Sequence, residues 1–145
     1  KKAKGIKFAK LYKIPFQILN LNKTINLEFF LKELQKKNIE IICLAGYMKI
    51  LNKYFIKRFK KKIINIHPSL LPKYKGLNTF KKALKNNDKL TGCTVHYVNN
   101  KLDSGKMILQ KRIVIEQNDN VETLKTKVQN KEYRAYSESI VNIFR

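Results

Sequence analysis

An amide and an imidazole lie two residues apart where an apolar run of the chain ends. Asn65 and His67 belong to the segment NIHPSL at residues 65–70, directly after Ile63 and Ile64. Residues two apart in a strand point to the same side, so both side chains are expected to face one pocket. A protonated imidazole and an amide donor can stabilise negative charge that develops on an oxygen. The segment alone is equally compatible with a capping asparagine and a surface histidine at a strand end.

Two further segments could complete a site around this pair. Asp103 lies in the polar turn NNKLDSG at residues 99–105; a carboxylate beside an imidazole favours the protonated ring, although an aspartate before Ser-Gly can also stabilise its own turn. In the segment AGYMKIL at residues 45–51, Gly46 permits a tight turn. The apolar residues beyond it could line a slot for a flat ring, with ordinary packing as the alternative. Ser69 has no base at a recognisable spacing, which favours direct attack by a substrate amine over covalent catalysis.

Apolar periodicity predicts the elements that would position these segments. Spacings of three and four residues indicate helices, and the nearly continuous apolar run at 39–44 indicates a buried strand. The predicted helices cover 4–12, 27–34, 54–61, 79–85 and a long final segment, and the predicted strands cover 16–21, 39–44, 63–66, 94–98 and 107–115. This alternation predicts an α/β domain with a mostly parallel central sheet, helices on both faces and antiparallel strands at one edge.

The long final helix has a predicted start and a predicted core face. Asp119 and Glu122 can form a capping box at its first turn. Apolar side chains then recur at helical spacing, and we expect the following to face the core: Val121, Leu124, Val128, Tyr136, Ile140 and Phe144.

Composition limits the classes of protein to which the chain can belong. Its 145 residues, 43% of them hydrophobic, suit one folded domain, and no apolar run approaches the roughly 20 residues that cross a bilayer. Cys43 and Cys93 fit neither a metal-ligand spacing nor a disulfide framework, so two reduced, buried thiols, no metal and a cytoplasmic location are expected. The net charge of +22 comes from lysines spread over the whole length, which leaves RNA binding as a remote alternative.

Three segments together resemble the folate-dependent formyltransferases. They are LAGYMKIL at 44–51, NIHPSLLPKY at 65–74, and GCTVHYV at 92–98 leading into LDSG at 102–105. The resemblance covers essentially the whole chain and implies a Rossmann-like formyltransferase domain over residues 1–145. The chain has KGLNT at 75–79 where methionyl-tRNA formyltransferases usually carry Arg-Gly-Ala-Ala-Pro, and Pro68 where deformylases usually carry a second histidine. Both features favour the members that formylate glycinamide ribonucleotide in purine biosynthesis.

The resemblance implies a role for each candidate residue. His67 would be the general acid, Asn65 would hold the formyl oxygen, and Asp103 would favour the protonated form of His67 and order a water for proton transfer. The co-substrate would be 10-formyltetrahydrofolate, with no metal, and the residues implied for its site are Lys23, Met48, Lys49, Ile50, Leu51 and Asn65. Gln129 and Glu132 would contact the ribose end of glycinamide ribonucleotide.

Other expectations come from departures from the family pattern. Family members normally open with a strand and a Gly-Ser-Asn loop whose amides hold the substrate phosphate; the chain has no such loop, so it is expected to be a piece of the domain that also stops slightly before the usual end. Asn100 replaces an acidic residue that is usual before Asp103, and His96 is expected to support the site or to belong to the core. A formyltetrahydrofolate deformylase or another amine formyltransferase stays open. The expected partners are small molecules, with no nucleic acid and no membrane, and a homodimer is allowed.

Overall fold

The chain divides into two compact units, residues 1–38 and residues 39–145, and each is described by itself. A computed structural model describes residues 5–18, 24–47 and 49–145. In the first unit, helix α1 covers Gly5–Leu11 and helix α2 covers Thr24–Lys36, which confirms both predicted helices. The strand predicted over 16–21 is not found at residues 16–18, and residues 19–21 lie outside the described residues.

The second unit is built on a sheet to which the described residues contribute four strands. In chain order its elements are β1 (Ile41–Leu44), α3 (Lys53–Arg58), β2 (Lys62–His67), α4 (Thr79–Lys85), β3 (Leu90–Tyr97), β4 (Met107–Val114) and α5 (Val121–Phe144). The strands lie in the order β1-β2-β3-β4. Every element predicted for this part of the chain is confirmed, with bounds that shift by a few residues.

The described sheet is mixed, with its parallel pair at the start. β1 and β2 are parallel and have α3 as their crossover, whereas β2 with β3 and β3 with β4 are antiparallel. The connection between β3 and β4 is too short for a parallel crossover, which takes a dozen residues or more. The alternation of helices and strands confirms the α/β class. The antiparallel part of the sheet, expected only at one edge, includes three of the four described strands.

The core of the second unit lies between α5 and the strands β2, β3 and β4. Its fully buried members are Ile64, Cys93, Val95, Val128 and Ala135. The predicted core face of α5 is confirmed at Leu124 and Val128, which are buried, and at Tyr136 and Ile140, which are partly buried. Phe144 was expected on this face but is 52% exposed, and Ile143 packs against the core instead. The three-residue step from 140 to 143 keeps the apolar stripe on the helix face that meets the sheet.

The cap of α5 differs from the predicted capping box. Asn120 is the N-cap: its side chain accepts hydrogen bonds from the backbone N–H groups of Glu122 and Thr123, and the Thr123 hydroxyl accepts one from the Asn120 N–H. The Asp119–Glu122 box is therefore wrong, since asparagine caps as well as aspartate does and the Asp119 carboxylate instead accepts a hydrogen bond from Lys127. Neither α5 nor any other described helix is long and apolar enough to cross a membrane.

The two cysteines have different environments. Cys93 is buried in the sheet, and its burial, with the nearby charge of Glu132, raises the pKa of its thiol to about 11. Cys43 is exposed, so the prediction of two buried thiols is wrong for this residue. β1 has one neighbouring strand in the described sheet, and the side chains of a strand alternate between its two faces, so an apolar run here does not bury every side chain.

Gly105 permits a close approach between the turn after β3 and the end of that strand. A Cβ atom at this position would overlap the backbone carbonyl oxygen of Tyr97. We expect Gly105→Ala to lower the free energy of unfolding by about 1–3 kcal/mol, measured by urea denaturation. Gly5→Ala is the matched control, since a Cβ there would meet nothing within 4 Å. An unchanged unfolding midpoint for Gly105→Ala would contradict the close approach.

Candidate active site

The candidate catalytic residues line one cavity of about 1030 Å³. β2 delivers Asn65 and His67 at its carboxyl end, and the turn between β3 and β4 delivers Asp103. The expectation that Asn65 and His67 face the same pocket is met, because both side chains line this cavity. Open α/β sheets commonly build their sites at the carboxyl ends of strands.

The ring of His67 has an acceptor at each of its nitrogen atoms. Nε2 lies 2.9 Å from the carbonyl oxygen of Tyr74, and because a carbonyl only accepts, Nε2 carries a proton. Nδ1 lies 3.4 Å from Oδ2 of Asp103. His67 is also buried, with 6% of its surface exposed. The ring is therefore held by the Tyr74 carbonyl oxygen on one side and faces the Asp103 carboxylate on the other.

Asp103 connects three parts of the site. Its Oδ2 accepts a hydrogen bond of 2.8 Å from the backbone N–H of Gly76 and faces His67. Its Oδ1 lies 3.7 Å from Nε2 of His96. Asp103 has a positive φ of 42°, which is uncommon for a residue with a side chain. The carboxylate thus bonds across to another loop, so its contacts go beyond stabilising its own turn.

His96 belongs to the cavity as well. It is opposite Asn65 in the pairing of β2 with β3, and cross-strand partners project their side chains from the same face of a sheet. Nδ1 donates to the carbonyl oxygen of its neighbour Tyr97 at 2.8 Å, and Nε2 is buried with no hydrogen-bond partner. Burial lowers the pKa of His96, although the Tyr97 carbonyl and Asp103 act in the opposite direction. The sequence left His96 between a supporting residue and a core residue; its strand register is the signal that places it at the site.

The segment after β1 forms another wall of the cavity. Gly46 has a positive φ of 65°, which confirms the tight turn predicted there. Three residues predicted for a ring-binding slot, Lys49, Ile50 and Leu51, line the cavity; Leu51 is buried and Ile50 is exposed. Two other residues predicted for the same site, Lys23 and Met48, lie outside the described residues.

Helix α5 forms the wall that carries the remaining candidates. Gln129 and Glu132 both line the cavity, and burial raises the pKa of Glu132. One turn further along, the hydroxyl of Tyr136 donates to the carbonyl oxygen of Leu44 at 2.7 Å, at the end of β1. Tyr136 had been expected only as a core residue, because periodicity detects an apolar face and gives no information about where a hydroxyl points.

Comparison with known proteins gives the family of the chain. The sequence model described as "Formyl transferase" matches residues 1–140. The chain belongs to the formyl transferase family. Among members of this family, the phosphoribosylglycinamide formyltransferase of Haemophilus influenzae is 43% identical over 138 residues, which are 92% of this chain and 65% of that protein. A trifunctional purine biosynthetic protein adenosine-3 of Chironomus tentans is 47% identical over 108 residues, 74% of this chain and 8% of that protein.

Solved structures of family members have the same fold. The phosphoribosylglycinamide formyltransferase of Bacillus halodurans superposes with a TM-score of 0.88 at 35% identity, over 99% of this chain and 76% of that one. The corresponding protein of Anaplasma phagocytophilum gives 0.88 at 37% identity, over 96% of this chain and 68% of that one. The chain spans somewhat less than two thirds of the Haemophilus relative and under a tenth of the Chironomus one. The Rossmann-like formyltransferase fold expected from the sequence is confirmed.

Proposed function

We propose that the protein transfers the formyl group of 10-formyltetrahydrofolate to the amine of glycinamide ribonucleotide. The observation that carries the proposal is the meeting of Asn65, His67 and Asp103 around one cavity in a member of the formyl transferase family. Relatives named phosphoribosylglycinamide formyltransferase, one of them 43% identical over 92% of this chain, support the choice of acceptor.

The proposed reaction needs charge stabilisation and a proton donor. The folate co-substrate supplies the formyl group; a bond forms from the acceptor nitrogen to the formyl carbon, the bond from that carbon to the folate nitrogen breaks, and a proton moves from the acceptor nitrogen to the leaving one. The side-chain amide of Asn65 would donate a hydrogen bond to the formyl oxygen as negative charge develops there. His67, which lines the cavity together with Asn65, would act as the general acid.

Asp103 is proposed to assist His67 as the general acid. Its carboxylate faces Nδ1 of His67 at 3.4 Å, and an opposite charge at that range favours the protonated ring. Its hydrogen bond from the Gly76 N–H fixes the carboxylate within the cavity wall. We also assign to Asp103 the ordering of a water for proton transfer.

The walls of the cavity offer suitable chemistry for both substrates. A volume of about 1030 Å³ is at the upper end of the range usual for small-molecule sites, about 300–1000 Å³, as two substrates bound side by side require. The folate would bind along residues 48–51, with Asn65 and with Lys23 as a further candidate. Gln129 and Glu132 on α5 would contact the ribose end of glycinamide ribonucleotide, since both also line this cavity.

The proposal is tested with the full-length protein, 10-formyltetrahydrofolate and glycinamide ribonucleotide. We expect formylated ribonucleotide to accumulate in step with the loss of formyl folate, measured by chromatography. The same assay without an amine acceptor distinguishes the alternative function, since a deformylase releases free formate. Formate release that is unaffected by glycinamide ribonucleotide would refute formyl transfer and support the hydrolase.

Three broader statements belong to the same proposal. Residues 1–145 form one formyltransferase domain, for which the family match over residues 1–140 is the support. The partners are the two small-molecule substrates, in keeping with the names of the relatives. A homodimer and a cytoplasmic location stay predictions.

A further inference from the structure

The loop after β2 carries the acceptor for His67, and residues beyond α4 hold that loop. The carbonyl oxygen of Tyr74 lies 2.9 Å from Nε2 of His67. The hydroxyl of Tyr74 donates to Oδ2 of Asp88 at 2.8 Å and accepts a hydrogen bond of 2.8 Å from Asn86. Tyr74 therefore links the candidate acid to the segment that ends α4.

The backbone of Tyr74 has a conformation that requires support. Its φ is 55°, in the left-handed region that residues with a Cβ atom rarely occupy. A return to a negative φ would rotate the peptide group and turn the carbonyl away from the ring of His67. The position of the acceptor thus depends on contacts that hold Tyr74 in place.

Asp88 is well placed to provide these contacts. Its side chain is 13% exposed, and its Oδ1 accepts a hydrogen bond of 3.0 Å from Nζ of Lys73. Its backbone N–H donates to the carbonyl oxygen of Ala83, a buried residue of α4. Burial opposes the charge of this carboxylate, but the hydrogen bonds from Tyr74 and Lys73 outweigh it and lower the pKa of Asp88. Asp88 is therefore a charged acceptor fixed to the end of a helix.

We propose that Asp88 is a positioning residue that orients the ring of His67 by anchoring Tyr74. Asp88 does not line the substrate cavity, so it acts on the reaction only through this chain of contacts. The inference deepens the proposed function, on which its kinetic part rests; the orientation of the ring can be measured whether or not the protein transfers formyl groups.

The test compares two substitutions that each remove one partner of the same carboxylate. Tyr74→Phe deletes the hydroxyl bonded to Asp88 and keeps the ring. Lys73→Ala is the matched control, because this side chain is 62% exposed and bonds to the other carboxylate oxygen. Asp88→Asn keeps one oxygen acceptor, so we expect it to lower kcat less than Asp88→Ala does. Urea unfolding of each variant verifies that it is folded.

Two readouts separate positioning from general damage. We expect Tyr74→Phe to lower kcat about tenfold with little change in KM, since small displacements of a catalytic group cost up to about 10²-fold, while Lys73→Ala stays near the wild type. The chain has two histidines, so ¹⁵N spectra of the imidazoles can be assigned with one His96 variant. In Tyr74→Phe the Nε2 proton of His67 should exchange faster with solvent.

The possible outcomes distinguish the positioning inference from the proposed function. A faster-exchanging Nε2 proton with a lower kcat supports the inference. The same spectral change in Tyr74→Phe, when the wild-type protein itself does not transfer formyl groups, supports the positioning role of Asp88 and refutes the proposed function. An unchanged His67 spectrum in folded Tyr74→Phe or in folded Asp88→Ala overturns the inference.

Discussion

Replacement of His67 by alanine is expected to lower the rate of formyl transfer by about 10²–10⁴-fold, the range that a general acid contributes. The ring is buried, and it is held between the Tyr74 carbonyl and the Asp103 carboxylate. In the proposed mechanism the variant therefore removes the group that would protonate the leaving nitrogen. The loss should fall on kcat, because an acid acts when the bond breaks rather than when the substrate binds.

Lys81→Ala is the control for His67→Ala. Lys81 lines the same cavity but is exposed, so its removal can weaken the binding of an anionic substrate without touching the proton donor. We expect a change in KM at most, in steady-state assays of both variants. A folded His67→Ala protein with a near-normal kcat would remove His67 from the mechanism.

Asp103→Asn is expected to lower kcat by about 10²-fold while the protein stays folded. An amide oxygen at the position of Oδ2 can still accept from the Gly76 N–H. An amide nitrogen at the position of Oδ1 would be 3.7 Å from Nε2 of His96, too far for a hydrogen bond. The hydrogen bond from Gly76 is thus preserved, and the negative charge beside His67 is lost. Steady-state assays measure the loss of kcat, and urea unfolding measures the stability of the variant.

Asp103→Ala is the companion of this variant. It removes the charge and also leaves the half-buried Gly76 N–H without its acceptor, and the loss of such a partner costs about 1 kcal/mol of stability. We therefore expect both variants to be slow and only Asp103→Ala to unfold at a lower urea concentration. A fully active Asp103→Asn would show that the charge of Asp103 is not needed.

The elements were predictable from sequence where local pattern determines them. The nearly continuous apolar run at 39–44 and the apolar spacing of α4 are local patterns, and the structure places both elements close to their predicted bounds. The Asp119–Glu122 capping box is wrong because Asp119 and Asn120 are both good cap residues. In the structure the Asp119 carboxylate accepts hydrogen bonds from the Glu116 N–H, the Thr123 hydroxyl and Lys127 instead.

The site was only partly predictable for a related reason. Asn65 and His67 are two residues apart in a strand, and this spacing alone predicts that their side chains point to the same side. The placement of His96 depends on the register between β2 and β3, and the acceptor role of Tyr74 depends on a backbone carbonyl. Side-chain chemistry in a sequence gives no information about either, because pairing and carbonyl direction are tertiary features.

The hydrogen bond from Tyr136 to the Leu44 carbonyl has a consequence for the entropy of a two-substrate reaction. It ties α5, with Gln129 and Glu132, to the strand that leads into Gly46 and the opposite wall of the cavity. The surfaces proposed for the two substrates are therefore fixed relative to each other before either one binds. Two substrates bound to surfaces that are already fixed react as if they were parts of one molecule. The barrier then contains less of the translational and rotational entropy that two separate reactants would lose.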